Sequence, residues 1–249
     1  MAEIQRSIRT LYFQIRNRIV KLIRGTNIND NRIKKIYNTE KYLKAYSHHT
    51  DLRVKLDPKS AIGGKWKEIG QLQFDFLISK GLLPNHTVLD IGCGTLRGGR
   101  HLIKYLNTAN YYGMDISHQA IKYSKKLVQQ ENLSEKDPFL CVNKEMNLKF
   151  HEFSEQTFDY ILAQSVFTHL KPEDIEECFE NIDDIMHKSS AFYFTYDKAE
   201  EYKQLSVKDF QYPYSFFKSL AEKYGFALHD CSNEYPHPRG QQMIELLKA

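Results

Sequence analysis

Apolar positions recur along this chain with two different periods. Over residues 2–24, Ile4, Ile8, Leu11, Ile15, Ile19 and Leu22 are three or four apart, which places them on one face of an amphipathic helix. Residues 25–31 are turn formers and read as a linker. A second helical patch carries Ile33, Ile36, Tyr37 and Leu43, and a polar connector with two histidines and a glycine turn follows, up to residue 64. Trp66, Ile69, Leu72, Phe76 and Leu77 share a face of a helix over 66–80, with Gly81 as its stop. Beyond that point short apolar runs alternate with helical stretches. Strands are expected at 87–90, 111–114, 138–143, 158–163, 191–196, 226–231 and 241–247. Helices are expected up to about 107 and over 118–132, 172–188 and 215–224. Strands and helices in alternation predict an α/β fold around a largely parallel sheet.

Composition narrows this picture. The 249 residues allow one large α/β domain with an appendage, divided here as 1–25, 26–64 and 65–249. A hydrophobic content of 41% and a charged content of 27% are ordinary for a soluble protein. No run approaches the length of a membrane span. Cys93, Cys141, Cys178 and Cys231 are far apart and form no CxxC pair, which points to reduced thiols and a cytoplasmic protein. The net charge of +4 is uneven, since Arg6, Arg9, Arg16, Arg18, Lys21 and Arg24 face only Glu3 in the first 25 residues. A nucleic-acid surface covering the body of the protein is therefore not expected. For the basic helix itself three readings stand: packing on the domain or in a homodimer, peripheral contact with an anionic membrane, and a transit peptide or RNA contact.

The chemistry gathers at Leu89-Asp90-Ile91-Gly92-Cys93-Gly94. Gly92 and Gly94 permit a sharp turn that a ligand can approach closely. The helix that follows aims its free N–H groups at the turn. A dinucleotide fingerprint needs a glycine where Arg97 stands, with Gly98 and Gly99 only afterwards. Asp90, just ahead of the turn, repels a pyrophosphate and attracts a cofactor that carries an ammonium and a sulfonium. Asp115 ends the second strand 21 positions beyond Gly94, where a carboxylate can accept ribose hydroxyls. Asp115 or Ser117 can equally cap the next helix.

These residues resemble the first motif of class I S-adenosylmethionine-dependent methyltransferases, and the resemblance runs from about 81 to 249. The extension Thr95-Leu96-Arg97-Gly98-Gly99 is similar to a bacterial subgroup often associated with sugar or secondary-metabolite pathways. The resemblance implies a Rossmann-like seven-stranded sheet, order 3-2-1-4-5-7-6 with the last strand antiparallel, and S-adenosyl-L-methionine as cofactor. Its cofactor residues would be Asp90, Gly92, Cys93, Gly94, Arg97, Asp115, Ile116, Asn143 and Gln164. The acid such proteins usually carry after the third strand is replaced here by Asn143, Lys144 and Glu145, of which Asn143 is the candidate adenine contact. The segment 164–170 after the fourth strand would line the methyl-transfer site, with His169 as a general base or a packing residue. The loop 235–240 would lie at the ligand edge of the sheet and bring His237, a second candidate base, and Arg239. His48, Tyr214 and Arg239 are candidate substrate contacts, and the segment 26–64 a possible lid.

Acids suited to a divalent metal are missing at the end of the fourth strand, so no metal is expected. The asparagine–proline motif of nucleic-acid amino methyltransferases is replaced by Gln164-Ser165-Val166-Phe167, so nucleic acid is not an expected partner. The leading expectation is O-methylation, ahead of N-methylation, of a small metabolite or glycan. The rivals are a catalytically silent cofactor-binding subunit and an RNA methyltransferase recruited by the basic helix.

Overall fold

A computed structural model describes residues 31–249, with side chains from Ile33 onward. The basic helix expected over 1–25 lies outside the described residues. The chain begins with α1 (Asn31–Thr39), α2 (Tyr42–Leu56), the short α3 (Pro58–Ala61) and α4 (Trp66–Ser79). There follow β1 (Val88–Ile91), α5 (Gly99–Tyr105), β2 (Tyr111–Asp115), α6 (His118–Gln130), β3 (Phe139–Val142), β4 (Phe158–Ala163), α7 (Pro172–Asn181) and β5 (Met186–Tyr196). A small hairpin of β6 (Lys203–Gln204) and β7 (Phe210–Gln211) precedes α8 (Tyr214–Tyr224), β8 (Phe226–Asp230) and β9 (Gln242–Lys248). Among the described residues no helix is long and apolar enough to cross a membrane.

Seven strands form one sheet in the order β3-β2-β1-β4-β5-β9-β8. β9 is antiparallel to both neighbours, and the pairs among β1 to β5 are parallel. This is the expected order. Period-two alternation divides the core between the two faces of the sheet. On β5, Phe192, Phe194 and Tyr196 pack on one face with Phe167, Phe179 and Phe217, while Ala191 and Tyr193 pack on the other with Phe76, Leu77 and Val88.

The helix expected over 172–188 ends at Asn181 instead. A 3-10 turn, Ile182–Ile185, buries both its isoleucines, and β5 starts five residues earlier than expected. His187-Lys188-Ser189-Ser190 hide this strand start because they sit where the register with β4 shifts between Phe158 and Tyr160. Ser190 Oγ donates to Phe158 O at 2.6 Å across that irregularity.

The polar connector expected after Leu43 is helical as well. Its buried side of α2 includes Ser47 and His49, so a search for apolar periodicity passes over it. Ser47 and the neighbouring Asp51 are partnered, whereas His49 Nε2 is buried without a partner among the described residues. Ser47 Oγ donates to Ile116 O at 2.7 Å. Asp51 Oδ1 accepts from Ser117 Oγ at 2.5 Å and from Gln119 N at 3.0 Å. Asp51 thus places a carboxylate at the N-terminal end of α6, where the helix dipole favours it. Together these bonds lay α2 over the carboxyl edge of β2.

α4 packs with its backbone against the turn that follows β1. A Cβ on Gly70 would stand 2.3 Å from the Arg97 carbonyl oxygen. In an exposed helix, glycine to alanine stabilises by about 1 kcal/mol. Here the neighbour is backbone and cannot swing away, so the sign reverses. Gly70→Ala is expected to destabilise by about 1–3 kcal/mol, as overpacked cores do, read as a lower urea midpoint at unchanged slope. A higher midpoint would show that the two segments are not in contact.

Candidate active site

The turn after β1 forms the floor of a cavity of about 360 Å³, within the usual range for small-molecule sites. Gly92 and Gly94 have φ of +66° and +57°, left-handed values that a residue with a Cβ rarely adopts. The turn is tied to β2 at two points. Cys93 N donates to Met114 O at 3.0 Å. Gly94 N donates to Asp115 Oδ2 at 2.9 Å, and Ser117 N donates to Asp115 Oδ1 at 2.7 Å. Asp115 therefore fixes the turn while its remaining lone pairs face the cavity rim. Ser117 Oγ accepts from Ala120 N, so the helix cap belongs to Ser117.

Asp90 is buried at the end of β1 and accepts a hydrogen bond from Tyr111 Oη at 2.7 Å. Burial raises its pKa to about 7; the Tyr111 bond opposes this, and the neighbouring Asp115 adds to it. Burial raises Asp115 to about 6 against its two backbone hydrogen bonds. Both carboxyls are held close to neutralisation until a cation or donor arrives.

Arg97 is buried beside them and has no carboxylate in ion-pair range among the described residues. Its Nη1 donates to Ile62 O at 3.0 Å and Gly64 O at 3.2 Å, and its Nη2 donates to Gln164 Oε1. Its Nε is buried without a partner. Burial lowers its pKa to about 10, which still leaves a cation. Gln164, the residue after β4, is fully engaged. Its Oε1 also accepts from Gln73 Nε2 at 2.6 Å, and its Nε2 donates to Ser165 Oγ at 2.7 Å. It lines the cavity by holding Arg97 in place, with no polar atom left over for a ligand.

The opposite wall is centred on His169, the last residue of the 3-10 turn Phe167–His169. Its Nδ1 lies 2.8 Å from Lys208 O and 3.2 Å from Asp209 Oδ1. Both neighbours are acceptors, so Nδ1 carries the proton and Nε2 carries the lone pair. The ring packs on Tyr46 of α2, with centroids 5.2 Å apart. Tyr42 Oη anchors the His169 carbonyl at 2.6 Å. Burial pulls the Asp209 pKa upward, but the His169 hydrogen bond, the Lys208 charge and the Ser206 hydroxyl outweigh it, so Asp209 stays ionised.

The structure brings Asp90, Gly92, Cys93, Gly94, Arg97, Asp115, Ile116, Asn143, Gln164, His169 and Arg239 to one cavity. Asn143 lines the wall, where its Nδ2 donates to Asn147 O at 2.6 Å and its Oδ1 accepts from Met146 N at 2.8 Å. These two bonds shape its own loop and leave one N–H and one lone pair of the amide unused. Three expectations need correction, those for His48, Tyr214 and His237. His48 points away from the cavity and pairs with Glu40 at 3.1 Å, because adjacent helix positions diverge. Tyr214 opens α8 and packs against the aromatic core, outside the cavity lining. His237 is buried behind Gln164, with its Nε2 3.2 Å from the Gln164 amide nitrogen and its Nδ1 3.3 Å from Gln241 N. Burial, then Arg97 and Arg239, lower its pKa to about 4. It is a neutral strut that does not line the cavity. Arg239 reaches the rim, where its Nη2 donates to Gly63 O, so it fastens the segment 62–64.

Tyr46, Gln73, Asp197 and the Lys208–Asp209 pair are cavity residues that the sequence reading missed. The hairpin carrying Lys208 and Asp209 has two-residue strands with no readable period. Among the described residues no group of three His, Cys, Asp or Glu could hold a metal ion.

Residues 89–190 match the family model described as a methyltransferase domain. Among solved structures, the chain is similar to magnesium protoporphyrin IX methyltransferase from Synechocystis PCC 6803 with bound SAM, at 14% identity and a TM-score of 0.63, over 85% of this chain and 99% of that one. It is also similar to the phosphoethanolamine N-methyltransferase 2 of Haemonchus contortus (14% identity, TM-score 0.62, 83% of this chain and 60% of that one). A TehB-like SAM-dependent methyltransferase from Corynebacterium glutamicum matches at 19% identity and a TM-score of 0.55, over 82% of this chain and 98% of that one. The sheet order and these neighbours give the chain the Rossmann-like fold of class I methyltransferases, with a methyltransferase domain matched over residues 89–190.

Proposed function

We infer that the chain binds S-adenosyl-L-methionine and methylates a hydroxyl of a small metabolite or glycan, with His169 as the general base. The residues present fit the cofactor. Asp90 faces the place for a cationic group, Asp115 offers lone pairs to ribose hydroxyls, and Arg97, a buried cation with an orphaned Nε and no carboxylate partner among the described residues, suits the cofactor's carboxylate. The cofactor supplies an already activated methyl group. What the protein adds is alignment, exclusion of water and a place for the proton. A small acceptor agrees with the cavity of about 360 Å³, and the porphyrin and phosphoethanolamine methyltransferases named above act on small molecules as well.

The observation that carries the hydroxyl reading is the fixed tautomer of His169. Two acceptors on Nδ1 leave Nε2 as a lone pair on a cavity-lining ring. A hydroxyl needs such a base as its oxygen takes the methyl, whereas a neutral amine is already nucleophilic. Nε2 accepts the hydroxyl proton, and the ionised Asp209 balances the charge the ring gains.

Two outcomes are expected. Cofactor binding favours ionised Asp90 and Asp115, so affinity measured by calorimetry should be highest near pH 8. It should weaken as pH falls through about 7 and then about 6, by up to about tenfold per pH unit for each proton taken up. Asp90→Asn should remove the upper part of that dependence; an equal profile in the variant would reassign it. His169→Ala should lower methyl transfer from labelled cofactor into a small-molecule cell extract by about 10²–10⁴-fold with cofactor affinity unchanged. A variant as fast as the parent would rule His169 out as the base.

A further inference from the structure

Six carboxylates line the cavity, and five of them have partners. Asp90 has Tyr111, Asp115 has two backbone N–H groups, Asp174 accepts from Lys171 N, Glu177 accepts from Leu148 N, and Asp209 is held by His169, Lys208 and Ser206. The sixth, Asp197, is half-buried, and its carboxylate has no hydrogen-bond or ion-pair partner among the described residues. Its lone pairs stay open to the cavity, where a donor on a ligand can reach them.

Its place in the fold says which ligand. Asp197 directly follows β5, at the carboxyl edge of the sheet and beside the end of β4. Two residues earlier, Thr195 Oγ1 accepts from Ser165 N at 2.7 Å, which couples this strand end to the segment bearing His169. The Asp197 backbone is fixed from the other side, its carbonyl accepting from Tyr212 N at 3.0 Å. Burial raises the Asp197 pKa, His169 and Arg239 oppose this, and Asp209 adds to it. The carboxylate is therefore in the electrostatic neighbourhood of the base, away from Asp90 and Asp115.

The surroundings also bear on the charge of that donor. Arg53 and Arg239, both cavity residues, donate only to the carbonyl oxygens of Ser60 and Gly63, and neither has a carboxylate in ion-pair range among the described residues. These two uncompensated charges disfavour a cationic acceptor, while Lys208 is paired with Asp209. We propose that Asp197 is the acceptor-selecting residue of this site, accepting a hydrogen bond from a second hydroxyl of a polyhydroxylated acceptor while His169 faces the hydroxyl that is methylated.

This rests on the hydroxyl reading above, and the test separates the two. The full chain is assayed with labelled S-adenosylmethionine against free sugars, methyl glycosides, cyclitols and their amino and monodeoxy counterparts. Asp197→Ala and Asp197→Asn are compared with the parent, and their folding is checked by thermal denaturation and cofactor calorimetry. Asp197→Ala should raise the acceptor KM by about tenfold or more, the size of a hydrogen bond to a charged group, with kcat and cofactor affinity little changed. Asp197→Asn, which keeps a carbonyl acceptor, should recover part of the loss. One monodeoxy analogue should cost the parent as much as the alanine substitution does, and should cost that variant nothing further. Equal KM for parent and Asp197→Ala on a methylated polyol would overturn the anchoring role and leave the hydroxyl reading intact. Selective methylation of amino sugars, lost in Asp197→Ala, would replace the hydroxyl by a cation. Cofactor binding with no member of the panel methylated would overturn the hydroxyl reading, and the proposal with it.

Discussion

The geometry of this site depends on a buried guanidinium. Taking Arg97 out of water costs several kcal/mol unless polar groups replace its hydration. No carboxylate does so among the described residues; instead two backbone carbonyls of 62–64 and the Gln164 amide oxygen surround it. These acceptors come from two layers of the protein. Two belong to the segment roofing the cavity, and the third follows the end of β4. Arg97 itself sits on the turn after β1, and its carbonyl oxygen is pressed against α4 at Gly70. Because its partners are dipoles and not an ion, the positive charge is solvated but not cancelled. The cavity keeps a net attraction for an anion at that wall.

The two halves of the cavity are built differently. The turn, Asp90 and Asp115 belong to strand ends that hold one another through backbone hydrogen bonds, so their positions follow from the sheet. The wall with His169 is assembled from pieces remote in sequence: Tyr42 and Tyr46 on α2, Lys208 and Asp209 in the hairpin, and Asp197 after β5. The first half is fixed by the sheet order that the fold class shares. The second can vary in loop and hairpin without disturbing the sheet.

That division explains what the sequence disclosed. The strands and the two acids at their ends were legible because apolar runs and the glycine turn are local signals. α2 was not, since Ser47 and Asp51 are useful only against Ile116 and Ser117, contacts that no window of the sequence contains. The start of β5 was masked by polar residues at a register shift. His237 was singled out for its chemistry and spends it internally, on the Gln164 cluster. Residue type shows what a side chain can do; only its neighbours decide whether any of that capacity is left for a ligand.

The fastening of residues 62–64 has a temporal side. Arg239, close to the end of the sequence, holds Gly63, which lies ahead of every strand of the sheet. During synthesis the roof is made before the floor it covers, and α2 has no surface to dock on until β2 and α6 exist. Its last tether comes only with the loop that joins β8 to β9. The cavity is thus closed by the most sequence-distant contact that defines it, 176 positions apart. An incomplete chain can carry the glycine turn and both acids and still lack an enclosed site, so closure of the pocket doubles as a check that the sheet has been finished.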